Sequence, residues 1–237
     1  MVKLDKRLSS VAELVPPCSM AADIGSDHGY LAIHLVQSGK AEKAVAADVN
    51  RQPLEASARN IEKEGAFDKV VTRLSNGLMN VCDLNPDAVI MAGMGGELIY
   101  SIIKDAPSDY CKREKPFIVI QPMSSVYELC CLLAEDGFEI EDERLSFSSG
   151  KLYRAMRIRY TGICQKLSLL ELHVGKLNLS RGGELTLRMV GSLKKKYEKI
   201  IKGKSLSDVE GQLPDLDFER EMLNQIEEYL KREETVG

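Results

Sequence analysis

No apolar run in the sequence approaches the roughly 18 residues that a membrane-spanning helix needs. The opening Met-Val-Lys-Leu-Asp-Lys-Arg leads into an amphipathic pattern instead of a signal-type apolar core, which argues against secretion. Cysteine is sparse and unpatterned: residues 18, 82, 111, 130, 131 and 164 include no Cys-x-x-Cys, and 130 and 131 are adjacent. Such thiols are expected to be small and mostly buried, in a reducing cytoplasm. No cluster of His, Cys and carboxylates has metal-ligand spacing, so no metal is expected. The lone His34 and His173 sit on apolar patterns and read as structural. Internal repeats and low-complexity tracts are lacking. So are a Gly-x-Gly-x-x-Gly fingerprint for a dinucleotide and a Gly-Lys-Ser/Thr for a nucleoside triphosphate.

What remains is an ordinary globular composition, 44% hydrophobic and 29% charged, on 237 residues. That length buries roughly 70% of its unfolded surface without disulfide or metal staples. Leu4, Leu8, Val11, Ala12 and Val15 share one helical face that Pro16-Pro17 terminates. Short apolar strands then alternate with helical patterns. Strands are expected at 20–24, 43–47, 70–74, 88–92 and 117–120, and helices at 30–38, 53–64, 97–104 and 124–134. This grammar predicts an open parallel α/β sheet covered on both faces. It changes near Gly137, where 138–147 and 152–160 flank Ser148-Ser149-Gly150-Lys151, a hairpin signature. A parallel sheet that ends in an antiparallel hairpin is the architecture of Rossmann-like methyltransferases. Beyond Gly162 the strands stop. Residues 184–202 and 218–230 carry apolar residues at helical spacing, joined by a loop at 203–214, while 163–183 fits helix or connector. The expected division is 1–162 for the α/β domain and 163–237 for a small helical one.

Net charge is −4, but it is segregated. Residues 166–204 hold 10 basic and 3 acidic side chains, and residues 205–237 hold 3 basic and 10 acidic. The basic cluster centres on Lys194, Lys195, Lys196 and Lys199. It offers phosphate contacts, along with Lys6 and Arg7. A solvated face, or plain attraction between the two tail helices, explains the same pattern.

The first strand runs into Asp23-Ile-Gly25-Ser26-Asp27-His28-Gly29 and then opens a helix, where free backbone N–H groups meet a ligand. Asp27 and His28 occupy the bend, and a carboxylate there repels a pyrophosphate but welcomes a cation. Asp48, one strand later, stands where an acidic residue grips a ribose diol. An acidic loop for a zwitterionic tail plus an acidic ribose clamp fits S-adenosylmethionine better than a nicotinamide coenzyme. A tight turn and a helix cap are the bland alternatives. Ser75-Asn76-Gly77 after the third strand and Gly93-Met94-Gly95-Gly96 after the fourth lie at the same sheet edge.

Leu4-Asp5-Lys6-Arg7-Leu8, Ala22 to Tyr30, Asp48, Ala92-Gly93-Met94-Gly95-Gly96 and Gln121-Pro122 together resemble the bacterial TrmK family of tRNA (adenine-22-N1)-methyltransferases. The resemblance is close over about residues 3–160 and extends to the tail only in layout. It implies a Rossmann-like domain with a helical, coiled-coil-like C-terminal domain, S-adenosylmethionine as cofactor and tRNA as partner. It also implies a cofactor pocket lined by Asp23, Gly25, Ser26, Asp27, His28, Gly29, Asp48, Val49, Asn76, Gly77, Ala92, Gly93, Met94 and Gly95. A monomer is the favoured state.

The chemistry points the same way. No Asn/Asp-Pro-Pro-aromatic stretch for an exocyclic amine follows the fourth strand. The only Pro-Cys pair, Pro17-Cys18, precedes the first strand, far from a nucleophile's place. A ring nitrogen with its own lone pair remains, and adenine N1 qualifies. Asp27 is then the candidate carboxylate near the acceptor, with Tyr30 or His28 orienting the base and Gln121 hydrogen-bonding it. A helix cap for Asp27, a cofactor contact for His28, core packing for Tyr30 and a plain cap for Gln121 are the bland alternatives. A small-molecule methyltransferase with a helical lid, and a non-catalytic cofactor- or RNA-binding module, are the competing readings.

Overall fold

The computed structural model describes residues 1–206 and 216–236. They form two units, Met1–Lys166 and Leu167 onward. In the first, α1 (Lys6–Leu14) begins where Asp5 accepts the Leu8 backbone N–H at 2.7 Å, and its Val11, Ala12 and Leu14 are buried. The expected α/β alternation follows. β1 (Cys18–Ile24), α2 (Tyr30–Gln37), β2 (Ala41–Asp48), α3 (Arg51–Lys63), β3 (Val70–Leu74), β4 (Ala88–Gly95) and α4 (Gly96–Lys104) lead into a short α5 (Tyr110–Arg113). Then come β5 (Phe117–Ser124), α6 (Val126–Glu135), β6 (Phe138–Ser148) and β7 (Lys151–Tyr160).

The seven strands lie in the order β3-β2-β1-β4-β5-β7-β6. The first five are parallel, and β7 runs antiparallel to both β5 and β6. Strand order therefore reverses between β1 and β4, and ligands of open α/β sheets bind at the carboxyl ends beside such a switch point. Ala21, Ala44, Ala46, Ala88 and Ile90 fill the middle of this sheet, with Leu31, Ile33 and Leu35 from α2 packed on it. Small residues on β1 and β2 let the helices approach closely.

The fourth strand is longer than its apolar run. The apolar run ends at Ala92, yet β4 stays paired with β5 through Gly95, with register shifts between Ala92 and Met94 and between Met94 and Gly95. Gly93, at φ +84°, is the residue displaced from the ladder. Such a bulge re-aims the chain at a sheet edge, and glycine adopts this backbone without steric cost.

Residues 163–166 belong with the first unit: Gln165 N–H donates to Ala134 O at 2.9 Å and Cys164 Sγ lies 3.0 Å from Glu135 O. In the second unit the stretch left open between helix and connector is two short helices, α7 (Leu169–Val174) and α8 (Lys176–Arg181), the first started by a Ser168/Glu171 capping box. α9 (Glu184–Leu206) extends beyond residue 202, and α10 is Asp217–Val236. The loop expected at 203–214 is thus helical as far as 206, and the remainder lies outside the described residues. Leu170, Val174, Val190, Tyr197, Met222, Ile226 and Tyr229 form this unit's own core. His173 bridges Leu169 O and the Tyr197 hydroxyl, the structural part expected of it.

Candidate active site

The carboxyl ends of β1, β2 and β4 bring the predicted loop residues together. Gly25 and Ser26 both donate backbone N–H bonds to Ala47 O, at 2.7 and 3.0 Å, which folds the loop onto the end of β2. Gly25 (φ +75°) and Gly29 (φ +70°) make the bend possible. At Gly29 a Cβ would stand 3.2 Å from Ser57 Cβ, so α3 packs directly against the loop, and Ser57 Oγ and Asn60 Nδ2 donate to Ser26 O and His28 O. Ala92, Met94 and Gly95 lie half-buried along β4, and the Met94 methyl covers the face of Gly25.

Asp23 is buried, 6% exposed, and accepts a 2.7 Å hydrogen bond from Ser26 Oγ. Burial pushes its carboxyl up to about 6, against the lowering effect of Ser26. An acid kept this dry is poised for a cationic partner. Asp48 ends β2 half-buried. Its Oδ1 accepts the Asn50 backbone N–H at 2.7 Å, leaving Oδ2 for a ligand hydroxyl. The helix-cap reading is not met, since the N-cap of α3 is Asn50 without a side-chain cap bond; Asp48 instead closes an Asx turn just ahead of the helix. Val49 beside it is 59% exposed, a large apolar surface at the mouth of the site.

Asn76 is exposed and Gly77 half-buried at φ +54°. The neighbouring Ser75 turns inward, its Oγ donating to Gly77 O and accepting from Asn80 N–H. Ser75 therefore closes the turn that presents residues 76–77. Asp27, His28 and Tyr30 form an exposed group: His28 Nε2 is 3.3 Å from Asp27 Oδ2, and the His28 and Tyr30 rings stack with centroids 5.6 Å apart. Both candidate catalytic side chains, Asp27 and Tyr30, are thus exposed and grouped about His28.

Two substrate-side expectations change. Gln121 was expected to meet the target base, but it is fully buried and both ends of its amide are engaged. Its partner is Arg7, which α1 brings to this edge, while Lys6 points outward, exposed. On α9, Lys194 is half-buried with Nζ 3.9 Å from Glu227, and Lys204 pairs with Glu219 at 2.7 Å. Attraction between the tail helices thus accounts for part of the charge split. Lys195, Lys196 and Lys199 remain exposed. Cys18 is no nucleophile: burial, then Asp87 and Glu42, push its thiol up to about 11. Among the described residues no group of three or more His, Cys, Asp or Glu forms a metal cage, and no helix is long and apolar enough to cross a membrane.

The loop makes one prediction directly. Gly25→Ala places a Cβ in the left-handed backbone region and against the Met94 methyl. Cofactor affinity measured by calorimetry is expected to fall about tenfold, the equivalent of roughly 1–2 kcal/mol of strain. An unchanged affinity would show that the cradle lies elsewhere.

Comparison with known proteins agrees with this geometry. Residues 4–156 match the family model described as a methyltransferase domain. A tRNA (adenine(22)-N(1))-methyltransferase of Bacillus subtilis (strain 168) is 32% identical over 155 residues, 65% of this chain and 64% of that protein. The aligned stretch thus spans a little under two thirds of that relative's length. The crystal structure of the B. subtilis M1A22 tRNA methyltransferase TrmK superposes with a TM-score of 0.77 at 25% identity, covering 98% of this chain and 99% of that one. M. capricolum TrmK, solved in complex with S-adenosyl-homocysteine, gives 0.75 at 27% identity, with 97% of each chain covered. By the domain match over most of its length the chain belongs to the methyltransferase-domain family, and it is homologous to the TrmK-family tRNA (m1A22) methyltransferases.

Proposed function

We propose that the protein transfers a methyl group from S-adenosylmethionine to N1 of an adenine in tRNA, the adenine at position 22. The observation that carries this reading is the buried Asp23 beneath a glycine loop, one strand from the half-satisfied Asp48. A dry carboxylate suits the ammonium end of the cofactor, and Asp48 Oδ2 suits its ribose. The same loop fits a diphosphate poorly, because Asp27 stands in the bend. Position 22 follows from what the B. subtilis relatives are named for, and the cofactor agrees with the product bound to M. capricolum TrmK.

Bound there, S-adenosylmethionine supplies an electrophilic methyl on a sulfonium centre. Adenine N1 carries an in-plane lone pair and no proton, so the chain needs no strong base. Its work is placement and charge: positive charge passes to the adenine ring, and the exposed Asp27 carboxylate is the group that stabilises it. The stacked His28 and Tyr30 rings offer the base a flat surface. Adenine N1 lies inside a Watson–Crick pair, so the nucleotide must be unpaired or extruded, at a cost of a few kcal/mol. Phosphate contacts offset that cost, and the exposed Lys195, Lys196 and Lys199 are suited to make them. A tRNA substrate and free cysteines agree with a cytoplasmic setting.

Incubating unmodified tRNA with enzyme and cofactor, then analysing its nucleosides and mapped fragments by mass, tests the proposal. One 1-methyladenosine at position 22 is the expected product. No methyl in tRNA under saturating cofactor would refute it. The triple change Lys195→Ala, Lys196→Ala, Lys199→Ala is expected to raise KM for tRNA about tenfold with kcat retained. The slope of log affinity against log salt should fall by about 2, given about 0.7 per phosphate contact. An unchanged slope would reduce this face to solvated surface.

A further inference from the structure

Arg7 is a cation held at the sheet edge by an uncharged partner. Asp5 caps α1 and so fixes the first turn that carries it. Arg7 Nη1 donates to Gln121 Oε1 at 2.6 Å. Gln121 Nε2 donates to Pro122 O at 2.9 Å, so its amide can turn only its oxygen toward the guanidinium. Nη1 also lies 3.5 Å from where a Cβ on Gly93 would stand, against the bulge of β4, and the Arg7 guanidinium carbon is 6.0 Å from the Tyr153 ring centre. Among the described residues no carboxylate pairs with Arg7, although the side chain is half-buried. A guanidinium withdrawn from water without a counter-ion is costly unless an anion meets it.

Taking the tRNA reading as its basis, we propose that Arg7 grips a backbone phosphate of the nucleotide being methylated. Gln121 is the positioning residue that aims it. The base itself is the wrong partner, because it gains positive charge during transfer and a guanidinium against the ring would oppose that. A phosphate offers two oxygens in the geometry of the guanidinium fork. The site at Gly93 places this contact beside the switch point, where the acceptor must sit. Arg7 thereby holds an extruded nucleotide by its backbone while leaving the ring to Asp27, His28 and Tyr30. This separates it from the lysines of α9, which are suited to tRNA at large.

The full-length wild type, Arg7→Ala, Arg7→Lys and Gln121→Leu are compared in three assays: methyl transfer to unmodified tRNA, tRNA binding over a salt series, and cofactor affinity by calorimetry. For Arg7→Ala, kcat/KM for tRNA is expected to fall about 10- to 50-fold, as for loss of a hydrogen bond to a charged group. The salt slope should fall by about 0.7, one phosphate contact, with cofactor affinity unchanged. Arg7→Lys should restore the slope but only part of the rate, since the charge returns without the fork. Gln121→Leu should keep the slope and lose rate, because the charge stays but is misaimed. A merely structural Arg7 would not move the slope. If Arg7→Ala weakens cofactor binding instead, the cation serves the cofactor's carboxylate and the proposal is overturned. An unchanged slope and rate overturn it equally, and if Gln121→Leu does not fold, the two Arg7 variants decide alone. A wild type that binds tRNA but methylates none of it refutes the methyl-transfer reading, whereas an active wild type with an indifferent Arg7→Ala refutes this contact only.

Discussion

Replacing Arg154 with methionine is expected to lower the melting temperature by about 10 °C without touching a ligand. Arg154 on β7 and Glu143 on β6 are both fully withdrawn from water, with side-chain exposures of 1% and 0%. Arg154 Nε donates to Glu143 Oε2 at 2.7 Å, and Nη2 stands at the same distance from that oxygen. On the side of α6, Nη1 lies 3.5 Å from Cys130 Sγ. Removing the guanidinium leaves Glu143 charged in a dry site, a loss of about 3–5 kcal/mol in comparable pairs. The double change Glu143→Met, Arg154→Met removes both charges and is expected to recover most of the loss. Thermal unfolding followed by circular dichroism measures this. A shift of under roughly 2 °C for Arg154→Met would mean that water reaches the pair. The hairpin matters to the site as well as to stability, because β7 pairs with β5, the strand that carries Gln121.

That ion pair marks the limit of what periodicity conveys. Short apolar runs alternating with helical patterns marked the parallel strands, most plainly β1, β2, β4 and β5, because strands buried on both faces read as apolar. The Ser148–Lys151 turn marked the antiparallel ending. The same logic hid Glu143 and Arg154, which read as ordinary hairpin charges until β6 and β7 are paired. The extension of β4 was hidden for a related reason. Glycine has low strand propensity, so Gly93 and Gly95 read as loop, whereas the ladder to β5 carries the chain through them around a bulge. The geometry of the glycine loop was legible because its spacing is local: Asp23, Gly25 and Gly29 are close in sequence, and Asp48 follows at the next strand end. Gln121 was misread because its meaning depends on Arg7, 114 residues away. A polar residue closing an apolar strand was the available signal, and it fits a buried hydrogen bond as well as a bound base. The lysine stripe was legible as charge, but only the packing of α9 on α10 separates Lys194 and Lys204, which meet acids, from Lys195, Lys196 and Lys199.

Asp23 ties the cofactor proposal to pH. Its folded carboxyl titrates at about 6, against 3.8 for the free group, because burial penalises the charged form. Since the folded value is the higher one, the protonated acid is compatible with the fold at low pH, and that benefit is lost as pH rises through about 6. At about pH 7 the uncompensated carboxylate costs the ligand-free protein on the order of 3 kcal/mol. An ammonium group at this carboxylate would supply the missing counter-charge and draw its pKa down. Cofactor binding below about pH 6 must then expel a proton, and affinity is expected to fall up to tenfold for each further pH unit. Between about pH 6.5 and pH 7.5 it should be nearly flat. Asp23→Asn has no charge to offer, so its cofactor affinity at about pH 7 is expected to be about 100- to 1000-fold weaker and independent of pH in this window. The same variant, ligand-free, should melt at a higher temperature than wild type at about pH 7, since the buried charge is gone. Calorimetry in two buffers of different ionisation heat reads the affinity and the expelled proton together. A wild-type affinity that does not change between about pH 5 and pH 7, with no proton released, would place the cofactor's ammonium away from Asp23. It would also leave the buried acid as a feature of the loop's fold alone.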